Sequence, residues 1–146
     1  MSELKINLGC GKDKKPGFVN VDFYGNPDIK HDLNKFPYPF KKNSVIYISC
    51  KHVLEHLKEP EEFFREIYRI LKIGGRAEII VPHYKHFTSY CNFGHRGFYH
   101  ENAIDYLIAE TSDESMNVHF KLIKKKVKRA RFRKWIKKEI IWVIEK

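Results

Sequence analysis

Two glycines stand directly after the first apolar run of the chain, in the sequence Leu8-Gly9-Cys10-Gly11. A loop of this composition lets the backbone approach a bound ligand closely, because no Cβ stands in the way. Asp22 ends the next apolar run, and a carboxylate at such a strand end can accept both hydroxyls of a ribose. The pair predicts a site for a nucleoside-type cofactor between the glycine loop and Asp22.

The glycine loop departs from a dinucleotide-binding fingerprint in two respects. The fingerprint has a third glycine where this chain has Lys14. Its acid follows after about 20 residues, whereas Asp22 lies 13 residues past Gly9. A nicotinamide-dependent oxidoreductase is therefore the weaker interpretation. Taken alone, the glycine pair is also compatible with an ordinary turn after a strand.

Histidines are the second group of residues with chemical potential. Six of the eight fall in segments expected near the carboxyl ends of strands: His52, His56, His83, His86, His95 and His100. Imidazole titrates near neutrality, so His52 or His83 could act as a general base, although a single histidine is more often a structural, hydrogen-bonded residue. The segment 83–95, with Cys91, offers ligand types that zinc accepts, but its spacing matches no standard site. We therefore expect no metal site.

The elements that must position these residues follow from periodicity. Apolar runs predict strands at residues 5–8, 18–22, 28–33, 45–50, 76–81, 120–133 and 139–145, the last two separated by a basic connection. Apolar residues at helical spacing predict helices at 60–72 and 102–110, the first ended by Gly74-Gly75 as a left-handed cap. The alternation predicts a single α/β domain with a mostly parallel sheet and a ligand beyond the strand carboxyl ends. Because so few residues separate the first two strands, the first helix should be reduced to about a turn.

Composition and charge restrict the class of protein. The chain has 146 residues, the usual size of one domain. Its longest apolar stretch, Ile140 to Ile144, is far shorter than the ~20 residues of a membrane-spanning helix. Three widely spaced cysteines and a start without a signal-like apolar run favour a cytoplasmic protein without a disulfide framework.

The net charge of +10 is concentrated near the end of the chain. Residues 121–138 hold eleven Lys or Arg and no acid, so the other 128 residues carry a net charge of −1. Phe132 and Trp135 lie among these charges, and cations interleaved with aromatics suit RNA or another anionic partner. The alternative is a solvated face of two strands whose apolar residues point into the core.

Five segments follow one another along the chain: Ile-Asn-Leu-Gly-Cys-Gly at 6–11, Gly-Phe-Val-Asn-Val-Asp at 17–22, His-Asp-Leu at 31–33, His-Val-Leu-Glu-His-Leu at 52–57 and Leu-Lys-Ile-Gly-Gly at 71–75. Together they resemble the class I S-adenosylmethionine-dependent methyltransferases, in particular the compact type 11-like branch. The resemblance implies a Rossmann-like, doubly wound, seven-stranded sheet that is mostly parallel and closed by a C-terminal antiparallel hairpin. It implies S-adenosylmethionine as cofactor and an acceptor that is a small molecule or RNA. The alternative function is a non-catalytic basic nucleic-acid-binding module that keeps this fold.

The resemblance also implies roles for individual residues. The cofactor would be held at four strand ends: Leu8, Gly9, Cys10 and Gly11 beside the methionine and ribose, Asp22 at the ribose hydroxyls, Asp32 and Leu33 at the adenine, and Cys50, Lys51 and His52 at the sulfonium. On the acceptor side, His95, Arg96 and Tyr99 would shape the substrate pocket. A reduced first helix removes the helix dipole beside the methionine carboxylate, and Lys12, Lys14 and Lys15 could supply positive charge there instead.

Overall fold

The structure, a computed structural model, describes residues 3–110, 117–132 and 135–146, without the side chains of residues 110, 130–132 and 135–137. The described strands form one seven-stranded sheet in the order β3-β2-β1-β4-β5-β7-β6. Their bounds are β1 Leu4–Leu8, β2 Val19–Asp22, β3 Ile29–Lys30, β4 Val45–Lys51, β5 Leu71–Pro82, β6 Lys121–Phe132 and β7 Trp135–Glu145. Strands β1 to β5 are parallel, whereas β7 runs antiparallel to both β5 and β6. The predicted fold class, a mostly parallel sheet ended by an antiparallel pair, is confirmed.

Helices join only some of these strands. In the described residues they are α1 Pro60–Ile70, α2 Thr88–Cys91 and α3 Ala103–Glu110, with a 3-10 turn at Leu54–His56. Residues 9–44, all of which are described, contain no helix, so the predicted remnant of a first helix is replaced by turns. No helix in this part of the chain or in the other described ranges is long and apolar enough to cross a membrane.

The predicted end of the first long helix was wrong. Helix α1 stops at Ile70, and Leu71 is already extended with φ −64° and ψ 138°. The glycine pair lies inside β5, where the pairing with β4 shifts register between Val45 and Tyr47. A Cβ on Gly75 would lie 2.9 Å from the carbonyl oxygen of Lys72, so this irregular strand start needs a residue without a side chain. Gly74 and Gly75 therefore permit an irregular start of β5 and do not cap helix α1.

The last strand is also longer than predicted. Strand β7 begins at Trp135, so residues 135–138 belong to the strand and not to a basic connection. Register pairs Lys138 with Arg129 and Lys137 with Ala130, which extends the ladder into the basic segment. Charged residues tolerate this position because β6 is an edge strand whose outer side faces solvent.

The apolar core lies on one face of the sheet. Alternate residues along the central strands are fully buried there, for example Ile79 in β5 and Trp142 in β7. Lys125 is the register partner of Trp142 and forms an ion pair with Asp105 of α3, which places α3 on this same face. Helix α1 covers the remainder with its buried stripe, which includes Ile67.

A side-chain network fixes the segment between β1 and β2, where a helix is missing. The amide of Asn7 donates to Asn20 Oδ1 over 3.0 Å, and the backbone N–H of Lys15 donates to the same oxygen over 2.8 Å. Asn20 Nδ2 donates to Asp28 Oδ2 over 2.8 Å. Hydrogen bonds from Lys14 and from the backbone and side chain of Asn20 lower the pKa of Asp28 to about 2. Asn7 and Asn20 are buried, so the network replaces packing by hydrogen bonds.

Asn20→Ala should lower the free energy of unfolding by about 2–4 kcal/mol, because it leaves the Lys15 N–H and one of the two N–H groups of the buried Asn7 amide without an acceptor. The other Asn7 N–H keeps its bond to the carbonyl of Asp13 over 2.9 Å. Urea denaturation followed by circular dichroism measures the change. Asn26→Ala, at an exposed asparagine, is the matched control and should stay within about 0.5 kcal/mol of the parent protein. Equal midpoints for the two variants would contradict a structural role for the network.

Candidate functional site

The glycine loop lies where the sheet changes direction. Strand order runs from β1 toward β2 on one side and from β4 toward β5 on the other, so the loops after β1 and β4 leave a crevice between them. A cavity of about 210 Å³ occupies this place and is lined by Gly9, Cys10, Lys51 and His52, among others. Residues predicted from two distant segments are thus brought to one cavity.

The glycine loop is folded back onto the end of β2. Gly9 N–H and Cys10 N–H both donate to the carbonyl of Val21, at 2.8 and 3.1 Å. Gly11 N–H donates to Asp22 Oδ2 over 2.7 Å. A carboxylate oxygen can accept two hydrogen bonds, so Asp22 keeps capacity for a ligand hydroxyl while it holds the loop. The loop and the acid predicted to flank a ligand are therefore adjacent.

Gly9 is required by packing as well as by backbone conformation. Its φ is +67°, and a Cβ at this position would lie 2.1 Å from Cγ2 of Val53. Gly11 also has a positive φ, +50°, but a Cβ there would meet no atom within 4 Å among the described residues. Gly9 thus lets β1 and the turn after β4 come together beneath the cavity.

The residues predicted to contact the adenine lie after β3. Asp32 Oδ1 accepts the backbone N–H of Asn34 over 3.0 Å. Leu33 is buried, and its carbonyl accepts the hydroxyl of Tyr38 over 3.0 Å. Within the described structure neither of the two lines the cavity beside Gly9.

Two lysines predicted as positive charge for the cofactor serve the fold. Lys14 pairs with Asp28 over 2.7 Å. Lys15 Nζ donates to Ser49 Oγ over 2.5 Å and lies over the ring of Phe18. Lys15 nevertheless lines the cavity beside Gly9, so its charge is available to a ligand there.

His52 stands at the point where two cavities meet. Its backbone is in the left-handed region, with φ +55°, which is uncommon for a residue that carries a Cβ. Nδ1 lies 3.2 Å from Glu55 Oε1, and Nε2 lies 2.8 Å from Glu139 Oε1. Each ring nitrogen thus faces one carboxylate oxygen. His52 is therefore firmly oriented, although neither nitrogen is presented as a simple free base.

His83 is held entirely by protein groups. The residue is 2% exposed. Its Nε2 lies 2.8 Å from Glu101 Oε2, and its Nδ1 accepts the backbone N–H of Lys85 over 3.1 Å. Burial lowers the pKa of His83, although the carboxylate of Glu101 opposes this effect. These contacts favour a structural role for His83 over that of a general base.

A second cavity, of about 340 Å³, opens on the other side of His52. Its lining includes His52, Glu55, His56 and His95. Of the three predicted acceptor residues, His95 alone is among the residues that line it, within the part of the chain that the structure describes. Arg96 is exposed, and its backbone N–H donates to the carbonyl of Glu55 over 2.7 Å.

Tyr99 faces a different region. It lines a separate cavity of about 190 Å³ together with Leu54 and Trp142. Its hydroxyl donates to the carbonyl of Leu54 over 3.4 Å. Burial raises the pKa of Tyr99 to about 12.

Two carboxylates beside His52 escaped the sequence interpretation. Glu55 is 1% exposed and Glu139 is 8% exposed, values that are unusual for acids. Glu55 had a detectable signal, because it interrupts the otherwise apolar run Val53-Leu54-Glu55 at the end of a strand. Glu139 had none, since only the antiparallel pairing of β7 with β5 brings it to His52.

The basic segment exposes its charges along β6. The side chains of Lys124, Lys126 and Lys128 are exposed, while Leu122 and Val127 are half-buried. The charges are therefore on the surface, and the apolar residues turn partly toward the core. The side chains of Phe132 and Trp135, predicted to take part in binding, lie outside the described residues.

Comparison with known proteins adds two findings. A family model described as a methyltransferase domain matches residues 7–79, half of the chain. No curated protein matches the sequence.

Several solved structures share the fold at low sequence identity. A SAM-dependent methyltransferase from Methanosarcina mazei is 12% identical with a TM-score of 0.70, and the match covers 100% of this chain and 93% of that one. A SAM-dependent methyltransferase from Archaeoglobus fulgidus is 13% identical with a TM-score of 0.68, covering 99% and 86%. The 1,6-didemethyltoxoflavin-N1-methyltransferase of Burkholderia thailandensis, solved with S-adenosylhomocysteine, is 13% identical with a TM-score of 0.66, covering 98% and 70%.

Gly9→Ala should lower the free energy of unfolding by about 2–4 kcal/mol, because the new methyl group collides with Val53 and the backbone is strained. In the double variant with Val53→Ala the nearest remaining atom is Val53 Cβ at 3.4 Å. The double variant should therefore lose less stability than the sum of the single variants. Gly11→Ala is the control, with a cost of about 1 kcal/mol from strain alone and no coupling to Val53→Ala. Strict additivity of Gly9→Ala and Val53→Ala in urea denaturation would exclude the collision.

Proposed function

Because this chain belongs to the family of type 11, class I S-adenosylmethionine-dependent methyltransferase domains, we propose that it transfers a methyl group from S-adenosylmethionine to an acceptor bound in the cavity between His52 and His95. One observation carries the proposal: the hydrogen bond from Gly11 N–H to Asp22 Oδ2 draws the acid to the glycine loop, whose Gly9 and Cys10 line the cofactor cavity. The acceptor cavity lies on the other side of His52, which lines both cavities.

The residues beside the glycine loop fit the cofactor. When bound, S-adenosylmethionine supplies an electrophilic methyl group carried on a sulfonium. Gly9 and Cys10 line the cavity, and Gly9 lets the loop pack directly against Val53, which any Cβ there would meet. Asp22 would accept the ribose hydroxyls, and the backbone at Cys50 and Lys51 would border the sulfonium end.

His52 suits the alignment of donor and acceptor. Methyl transfer depends on holding the nucleophile in line with the methyl group, and it needs a base only where the nucleophile loses a proton. Glu55 and Glu139 fix the His52 ring from both sides at the border of the two cavities. We assign His52 to the positioning of the two substrates.

Asp22→Asn should weaken binding of S-adenosylhomocysteine at least tenfold, because it removes the charge that strengthens hydrogen bonds from the ribose hydroxyls. The amide keeps one oxygen acceptor for the loop, so the fold is better preserved than with alanine. Thermal-shift titration and calorimetry measure binding, with NAD as a ligand that should give no shift. Glu59→Gln, at an exposed acid, is the matched control and should bind like the parent. Unchanged affinity in Asp22→Asn would refute the role of Asp22.

The charge distribution supports an RNA as acceptor. Lys128 is the register partner of Glu139, so their side chains share a face of the sheet, and the carboxylate of Glu139 contacts His52. Lys126 and Lys124 occupy alternate positions further along the same face of β6. A row of exposed cations thus runs along β6 and ends beside the acceptor cavity, which suits a phosphate backbone.

Replacing Lys124, Lys126 and Lys128 together by Gln should weaken binding of a single-stranded RNA oligonucleotide. The slope of log Kd against log salt should fall by about 2, because three phosphate contacts are lost. The control replaces the exposed Lys30, Lys35 and Lys58 by Gln, which changes the net charge equally. Equal weakening by both triple variants would show attraction by net charge alone and would contradict a track along β6. Binding of S-adenosylhomocysteine should be unchanged in both.

A further inference from the structure

We propose that Glu55, His56 and His95 form a binding site for a divalent transition-metal ion of the zinc type. Each residue offers one ligand atom, and these atoms lie within 4.8 Å of one another. The three side chains line the 340 Å³ cavity beside His52. The proposal concerns metal binding alone and does not rest on methyl transfer.

Glu55 supplies an oxygen that lacks a partner in the part of the chain that the structure describes. One carboxylate oxygen, Oε1, lies 3.2 Å from His52 Nδ1. The other, Oε2, is buried and has no hydrogen-bond partner among the described residues. A buried carboxylate oxygen without a donor is costly, because its desolvation is not compensated. A cation in the cavity would remove this cost.

The two histidines are prepared as metal ligands by their backbone contacts. His56 Nδ1 lies 3.0 Å from the carbonyl of Gly94, and His95 Nδ1 lies 2.9 Å from the carbonyl of Ser89. A carbonyl only accepts hydrogen bonds, so each Nδ1 must carry the proton, and in the neutral ring the lone pair is then on Nε2. Metal-binding histidines characteristically donate their second N–H to a carbonyl or carboxylate in this way.

The segment that carries His95 is tied to the turn that carries the other two ligands. The carbonyl of Glu55 accepts the N–H groups of Arg96 and Gly97, at 2.7 and 3.1 Å. The rings of His56 and His95 make an edge contact with a centroid separation of 4.6 Å. The ligands are therefore brought together by the fold itself, to within 4.8 Å of one another, compared with a ligand spacing of about 3.4 Å in a tetrahedral zinc site.

The ligand types select the metal. Two imidazoles and one carboxylate suit Zn²⁺ or Co²⁺, whereas Mg²⁺ and Ca²⁺ prefer sites built of oxygen atoms. Three protein ligands leave a coordination position open toward the cavity, as in catalytic zinc sites. The exposed Cys91 lines this cavity as well and is a further soft group there.

This cluster differs from the set considered from sequence spacing. The segment 83–95 suggested no standard site, and the structure gives its first two histidines other partners: His83 contacts Glu101, and His86 Nδ1 lies 2.7 Å from Thr88 Oγ1. Only His95 is common to both sets. The ligands come from two segments that the fold brings together, so spacing within one segment could not reveal them.

The test is metal binding by untagged, chelator-treated protein. Zn²⁺, titrated against a chromophoric competitor, should bind with a stoichiometry of one, and Mg²⁺ should not compete at a hundredfold excess. Co²⁺ should give the visible absorption of a four-coordinate site. Glu55→Gln and His95→Gln should each weaken Zn²⁺ at least tenfold, whereas His119→Gln, the same change at an exposed histidine, should have no effect.

Three results would overturn the proposal: no Zn²⁺ binding by the parent protein, undiminished binding in both ligand variants, or equal loss in His119→Gln. Far-UV circular dichroism and thermal denaturation of the same preparations establish that the variants are folded. Titration of the parent protein with S-adenosylhomocysteine separates the two proposals. Absence of S-adenosylhomocysteine binding with Zn²⁺ binding intact would contradict the methyltransferase proposal alone, and the reverse would contradict the metal site alone.

Discussion

The hydrogen bond between Gly11 N–H and Asp22 is the interaction on which the site depends. In an ordinary doubly wound sheet a helix would follow the first strand and hold the glycine loop by packing. Here residues 9–44 contain no helix, so the position of the loop depends on hydrogen bonds to the end of β2. Asp22 therefore orients the loop through its carboxylate, and each of its oxygens can accept a further hydrogen bond.

The missing helices also explain why one face of the sheet is polar. The buried Asn7 and Asn20 lie where a helix would otherwise bury apolar side chains, and they satisfy each other and the backbone of Lys15. Lys15 reaches across to Ser49 of β4, and Phe18 packs edge-on against Tyr47 with a centroid distance of 6.1 Å. A short, hydrogen-bonded segment thus covers this part of the sheet. Directed polar contacts replace apolar area on this face.

Sequence patterns predicted the strands and helices whose apolar residues follow a clear local periodicity. Apolar runs located the strands, and the spacing of apolar residues located helix α1. They failed at Gly74-Gly75, because a glycine pair after a helix has the same composition whether it caps the helix or permits an irregular strand. The order of the residues also could not show that Tyr99 faces another cavity or that Glu139 reaches His52, since both follow from long-range register.

The histidines around the crevice have different roles, which their hydrogen-bond partners reveal and the sequence alone does not. His83 has both nitrogens engaged inside the protein, and burial disfavours its charged form, so it ties the end of β5 to Glu101. His52 faces carboxylates on both sides and is therefore oriented as a cation would be. His56 and His95 each face a carbonyl at Nδ1, which leaves the lone pair of Nε2 available to a ligand. The hydrogen-bond acceptor that lies beside each imidazole therefore decides what the ring can do. The spacing of residues in the sequence cannot identify that acceptor, because it depends on which groups the fold brings near.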